Sequence, residues 1–424
     1  MCRTTVHGRD RWHRSLTVAV FLLLLAAALP GCRRRSQVPP GSEYDRALTA
    51  LRAGRIGEAE TIVTAAALPE GSQDAARLQL LHIEILLAAG RVDEAEKLLH
   101  ALPANAGESP ELAGRRAYLT ARVHVERGRL ADALATLQQA RPLVDRSNAG
   151  LDLLRLEGQI RVRMNDWTGG VERLAEAASR AEASGDQYRL AQALNDRGMS
   201  QLRRGRYDEA LSWFEPIATL PRIDGTTVLA QALNNAGIAY ARLGQFGRAV
   251  RSQERAVAIH RSGPPRAYLE AVGALGNTYV LQRSPRAAIS YLQEAFETAR
   301  RLGMNGEAAL WAGNLAAAHA DLGDWDDAER YNGEARRLGG DGDRTDPIYF
   351  TLTDAQIAAG RRQHEQALRL FDDVLRSKPP AAVRWTAQAA LARLAADEGR
   401  FDSAEQWFDA ALHTIEETRS DLLK

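Results

Sequence analysis

A six-residue phrase, in its fullest form Gly-Arg-apolar-Asp-Glu-Ala, returns ten times along this chain. It reads GRIGEA (54–59), GRVDEA (90–95), GRLADA (128–133), NDWTGG (165–170), GRYDEA (205–210) and GQFGRA (244–249). It continues as RSPRAA (283–288), GDWDDA (323–328), RQHEQA (362–367) and GRFDSA (399–404), so successive copies stand 36 to 40 residues apart. A unit that short cannot bury its apolar side alone. It has to stack on the unit before and the unit after, and this predicts an elongated array.

Each unit reads as two helices around a turn. Before the phrase comes a helix-forming run such as LAQALNNAGIAYARLG (229–244). After it comes a second apolar-periodic run such as GRAVRSQERAVAIH (247–260). Glycine at the turn accepts the left-handed conformation that ends a helix. Acidic residues just beyond, such as Asp93 and Glu94, suit the positive N-terminal end of the next helix. The expectation is an all-α solenoid of about ten helix-turn-helix units.

Charge argues against a nucleic-acid partner. The total of +1 over 424 residues is concentrated at the start. Residues 1–31 carry four Arg and one Asp, and Arg33 to Arg35 follow, which leaves −5 on residues 36–424. Phosphate binding calls for a basic excess on the folded part. The two cysteines, Cys2 and Cys32, cannot make a disulfide framework, and beyond residue 32 there is no thiol for zinc or catalysis.

The N-terminus carries an address. Four arginines precede the uncharged, mainly apolar run LTVAVFLLLLAAAL (16–29), which is followed by Pro-Gly-Cys. A basic start, a short apolar run and small residues make a secretory leader. The run falls short of the ~20 residues that cross a bilayer as a helix. Leu29, Gly31 and Cys32 resemble the lipobox of bacterial lipoproteins, with Pro30 a departure between them. That resemblance implies cleavage after Gly31 and acylation of the Cys32 thiol, and an outer-membrane anchor facing the periplasm. An ordinary cleaved leader or an uncleaved anchor would use the same residues with Cys32 incidental. The expected organisation is a leader at 1–31, an acylated Cys and a Pro/Gly/Ser tether at 32–42, and the solenoid at 43–424.

Within the units, Gly158, Gly198, Gly237, Gly276, Ala316 and Ala392 occupy one recurring place, and Tyr240 and Tyr279 another. Ala140, Ala256, Ala295, Ala335 and Ala411 recur in the second helix, as do large apolar residues at Phe214, Leu292, Phe371 and Phe408. Small residues are required where paired helices cross closely. This pattern resembles the tetratricopeptide repeat over about 43–420, departing at Gly170, where alanine is usual, and at Arg283, where glycine is. The resemblance implies a right-handed superhelix whose first helices line a concave trough. The end, ALHTIEETRSDLLK (411–424), is similar to the helix that leads such arrays into CHAT protease domains; no such domain occurs within these 424 residues, which suits either a stand-alone array or a truncated relative.

In the family the trough is read through one stripe of the first helix. In units five to eight this stripe holds Gln192, Asn195, Asp196, Arg203, Gln231, Asn234, Asn235, Arg242, Glu270, Asn277 and Asn314. An amide side chain both donates and accepts, so a row of them suits the backbone of an extended peptide. The same asparagines could instead pair with neighbouring helices or face water. The family's carboxylate clamp is a poor match, because Gln159 and Asp196 stand beside Arg155 where asparagine is usual.

Nothing in the sequence assembles a reaction centre. The nine histidines are scattered, and no metalloprotease, nucleophile-elbow or phosphate-loop motif occurs. No metal or cofactor is expected. The reading is a non-catalytic scaffold that binds a protein or peptide at a bacterial envelope membrane, assisting assembly of a complex. The alternative is a sensor arm for a separately encoded effector such as a CHAT-type protease.

Overall fold

The computed structural model describes residues 42–69, 71–102, 109–144, 147–339 and 347–422. The expected leader at 1–31, Cys32 with nearly all of the expected tether, and most of the Gly/Asp-rich connection at 339–347 lie outside these residues. The described residues form twenty α-helices and one short 3₁₀ helix, with no strand. The first helices of the ten units are α1 Glu43–Arg52, α3 Gln73–Ala88, α5 Pro110–Glu126, α7 Asn148–Arg163, α9 Gln187–Arg203, α11 Thr227–Arg242, α13 Pro265–Leu281, α15 Asn305–Leu322, α17 Pro347–Gly360 and α19 Ala381–Asp397. Their partners are α2 Ile56–Ala65, α4 Val92–Ala101, α6 Leu130–Val144, α8 Trp167–Ala183, α10 Tyr207–Phe214, α12 Phe246–His260, α14 Pro285–Arg301, α16 Trp325–Gly339, α18 His364–Arg376 and α20 Phe401–Leu422.

Every turn inside a unit holds one residue at positive φ. Seven are glycines, at 54, 90, 128, 205, 244, 323 and 399, and the others are Asn165, Arg283 and Arg362. The left-handed step lets two successive amides cap the preceding helix. Gly90 N–H donates to the Leu87 carbonyl at 3.1 Å and Arg91 N–H to the Leu86 carbonyl at 2.9 Å. The alanine that closes each phrase is buried at the crossing, with Ala59, Ala210 and Ala367 at 0% exposure. Gly170 meets the same demand more tightly. A methyl there would stand 2.6 Å from Val162 Cγ2 and 3.0 Å from the Gly158 carbonyl oxygen. Gly198 is likewise obligatory, because the Phe214 ring passes 2.4 Å from where its Cβ would be.

The core is distributed along the array. One cluster runs from α3 to α7, another from α12 to α17, and a third joins α17, α18 and α19. Unit five departs from the pattern. Its second helix stops at Phe214 and continues as a 3₁₀ turn, Glu215–Thr219, which begins around Pro216. Ile217 and Ile223 then anchor the linking segment in the core.

The sequence predicts an open trough, and the structure shows its first turn closed. The α1–α2 corner reaches the start of α11 and the α12–α13 loop. Thr227 Oγ1 donates to the Arg52 carbonyl at 3.3 Å, across 175 residues. Arg52 lies over the Tyr188 ring at 4.3 Å. Gly54 makes the approach possible, since a Cβ on it would be 3.0 Å from Thr227 Cγ2 and 3.1 Å from Gly263 Cα. Closure follows from the summed rotation of five stacked units, which no local pattern announces.

Candidate functional site: a channel inside the closed turn

The first helices of units one to seven surround a channel of about 450 Å³. Of the residues predicted for the trough, Gln192, Asn195 and Asp196 of α9, Gln231 of α11 and Glu270 of α13 line it. Tyr118, Arg155, Gln159, Arg163, Tyr188 and His260 complete much of the wall. Arg203, Asn234, Asn235, Arg242, Asn277 and Asn314 are not among the lining residues, so the structure does not bring the whole predicted set to one place.

The predicted asparagine row is partly occupied with itself. Asn235 Nδ2 donates to Asn195 Oδ1 at 3.0 Å, and Asn314 Nδ2 to Asn277 Oδ1 at 2.8 Å. Each bond ties a first helix to the next one. The complementary amide halves, Asn195 Nδ2 and Asn235 Oδ1, make no further hydrogen bond among the described residues. Asn234 Oδ1 is buried without a partner.

Charge is organised as a ladder across consecutive first helices. Arg115 of α5 pairs with Glu84 of α3 and, at 3.0 Å, with Asp152 of α7. Asp152 also receives Arg189 of α9, at 2.9 Å from both Nε and Nη2. Burial opposes the charge on Asp152, but Arg189 and Arg115 outweigh it and hold the carboxyl below its ordinary range. A second rung pairs Arg155 with Asp196 at 2.9 Å, and Arg155 also donates to the Tyr118 hydroxyl at 3.3 Å. Here burial prevails and raises the Asp196 carboxyl above its ordinary range, against the pull of Arg155. Arg155 is thus spent on a neighbour's carboxylate, which removes it from any clamp for a chain terminus.

Several wall groups keep free capacity. Arg155 Nε and His260 Nδ1 are buried without hydrogen-bond partners. Arg163 is exposed and makes no ion pair among the described residues. Burial pushes the His260 imidazole down to about 4, so it faces the channel neutral at pH 7. The wall therefore presents donors, acceptors and aromatic faces in repeat register. No group of three or more His, Cys, Asp or Glu capable of holding a metal occurs among the described residues. Nor, among them, is any helix long and apolar enough to cross a membrane.

The missed wall residues had a signal. Carrying the predicted stripe back from unit five by its own register reaches the wall residues Arg155, Gln159 and Arg163 in unit four, Tyr118 and Arg122 in unit three, and Glu84 in unit two, together with Asp152 and Arg115 of the charge ladder. Tyr188 and His260 lie outside that stripe and enter only through closure.

No curated protein matches the sequence. Among solved structures, similarity is found to a Rap protein complexed with competence and sporulation factor, at 12% identity and TM-score 0.57, covering 82% of this chain and 99% of that one. Aspartyl phosphate phosphatase F from Bacillus subtilis matches at 13% and 0.52, with coverages of 83% and 96%. A signal-transduction ATPase with a tetratricopeptide repeat sensor, from Pyrococcus horikoshii, matches at 15% and 0.54 over 84% of this chain and 55% of its own. At such identities these likenesses speak for the fold alone. Sequence models described as tetratricopeptide repeat match residues 50–119, 114–139, 155–220, 228–301, 309–339 and 352–420. With turn geometry, crossing residues and sequence in agreement from end to end, this chain belongs to the tetratricopeptide repeat family.

Proposed function

We propose that this protein is a non-catalytic scaffold that holds an extended peptide segment of a partner protein in the channel of its closed turn. The observation that carries this reading is the channel wall itself. Six first helices present polar side chains to it, and two buried wall nitrogens, Arg155 Nε and His260 Nδ1, lack partners. A strand-like peptide offers one N–H and one C=O per residue, which is the complement such a wall requires. Acylation of Cys32 would tether the scaffold to an envelope membrane through the 32–42 segment, where it would assist assembly of a complex. Buried acyl chains contribute about 0.8 kcal/mol per CH₂, so more than one chain holds firmly.

The test is photocrosslinking in cells, with a crosslinking amino acid in place of Gln192 or Gln231 and, as a control, at Arg251 on α12. The reading expects one partner, joined through a short contiguous segment, from the channel positions only. Equal yields from Arg251, or no partner from either channel position, would remove the channel from the account. Labelled palmitate that survives Cys32→Ser would remove the tether. The alternative of a sensor arm for a separate effector is favoured by one feature, the apolar stripe that α20 leaves open.

A further inference from the structure

Four of the eight large apolar side chains that stand exposed among the described residues belong to α20: Phe401, Phe408, Leu412 and Ile415, at 71%, 41%, 57% and 42% exposure. Steps of seven, four and three residues put them on one side of the helix. The sequence places Phe408 in the packing series with Phe214, Leu292 and Phe371, and there the expectation fails. The reason is positional. Phe408 is the eighth residue of its helix, and the eighth residues Val63, Leu99, Leu137, Leu174, Phe214, Leu292 and Phe371 are all at most 8% exposed. Each lies against the first helix of its own unit, as Phe214 does on Gly198, and shares a buried cluster with the first helix of the following unit, as Phe371 does with Val383, Ala387 and Leu391 of α19. Residues equivalent to Leu412, such as Ala178, Val257 and Phe296, are buried in the same way. Among the described residues nothing covers this side of α20, which corresponds to the surface that the earlier units bury.

One edge of that stripe is acidic. Asp402, Glu405, Asp409 and Glu416 are exposed and make no ion pair among the described residues. At 3.6 residues per turn they lie roughly 40–100° around the helix from Phe401. We propose that α20 seats an amphipathic α-helix of a partner protein, with one apolar side and a basic edge, in the place an eleventh unit's first helix would take. A second copy of this chain fits less well, since an antiparallel α20 pair would set acidic edge against acidic edge. The proposal stands apart from the channel and does not require a peptide there.

Two stapled helical peptides serve as probes, sharing a Leu/Ala stripe that is flanked by lysines in one and by glutamates in the other. Fluorescence anisotropy against the full-length protein in detergent should show saturable binding of the lysine peptide, and at least about tenfold weaker binding of the glutamate peptide. Leu412→Glu with Ile415→Glu should weaken the lysine peptide about tenfold at unchanged melting temperature. Glu405→Lys with Asp409→Lys should reverse the preference, which separates recognition from simple stickiness. Equal binding of the two peptides, or undiminished binding to the Leu412/Ile415 variant, would overturn the proposal. So would a protein that is dimeric and becomes monomeric on Leu412→Glu.

Discussion

At the scale of single residues, the turns and crossings are where chemistry leaves least choice. Seven of the ten turns place glycine at positive φ, and Arg283 and Arg362 adopt the same conformation with a side chain. A left-handed residue with a Cβ costs about 1–2 kcal/mol, of which glycine's larger unfolded entropy returns part. Arg362→Gly is therefore expected to raise stability by about 0.5–1 kcal/mol, read as a higher urea midpoint at unchanged slope. A lowered midpoint would mean the turn is held by the arginine side chain. These positions are legible in the sequence because their constraint is local: a glycine, a four-residue gap and an alanine fix the corner wherever they occur. The partners of the buried charges are not local. Asp152 meets Arg115 and Arg189, each 37 residues away, and only the stacking of first helices makes those residues neighbours.

At the scale of the helix, the two members of each unit have different work. The first helices carry the charged ladder and the channel wall. The second helices carry the large apolar residues that sit over glycine or alanine. α12 does both, because it ends at His260, buried at 2% exposure against the channel. Its imidazole titrates near 4 in the fold and near 6.5 when unfolded. Between those values the unfolded chain binds more protons, so stability rises with pH through the window and falls as pH drops. The loss from pH 6.5 to 4 is on the order of 3 kcal/mol. Urea midpoints at pH 7 and pH 4.5 should draw apart in the parent protein and much less in His260→Gln. An equal gap in both would place the acid sensitivity elsewhere. The asparagine series shows the limit of reading a helix face alone. Asn235 and Asn314 bond to asparagines on the preceding first helix, a pairing that depends on the spacing between helices.

At the scale of the whole molecule, the repeat predicts the array and its ten units, and it predicts a trough. It does not predict that the first turn closes, which depends on the accumulated rotation of many nearly equal steps. Closure changes what the concave face is, from an open groove to a channel walled on several sides. Residues from unit one, such as Leu51 and Ile56, become part of the wall that the later units form. It also rests on one short corner, where Gly54 passes between Thr227 and Gly263. The central claim is that this contact exists in solution. With Cys2 and Cys32 replaced by serine, thiols placed at the exposed Arg55 and Asp224, which line one cleft across the closure and leave Gly54 and Gly263 intact, should be joined by a short bismaleimide in the folded protein. Under the same conditions Arg55→Cys paired with a cysteine at Gly333 should not. If the 55/224 pair is joined no faster than the 55/333 pair while the protein is folded, the first turn is open and the channel does not exist.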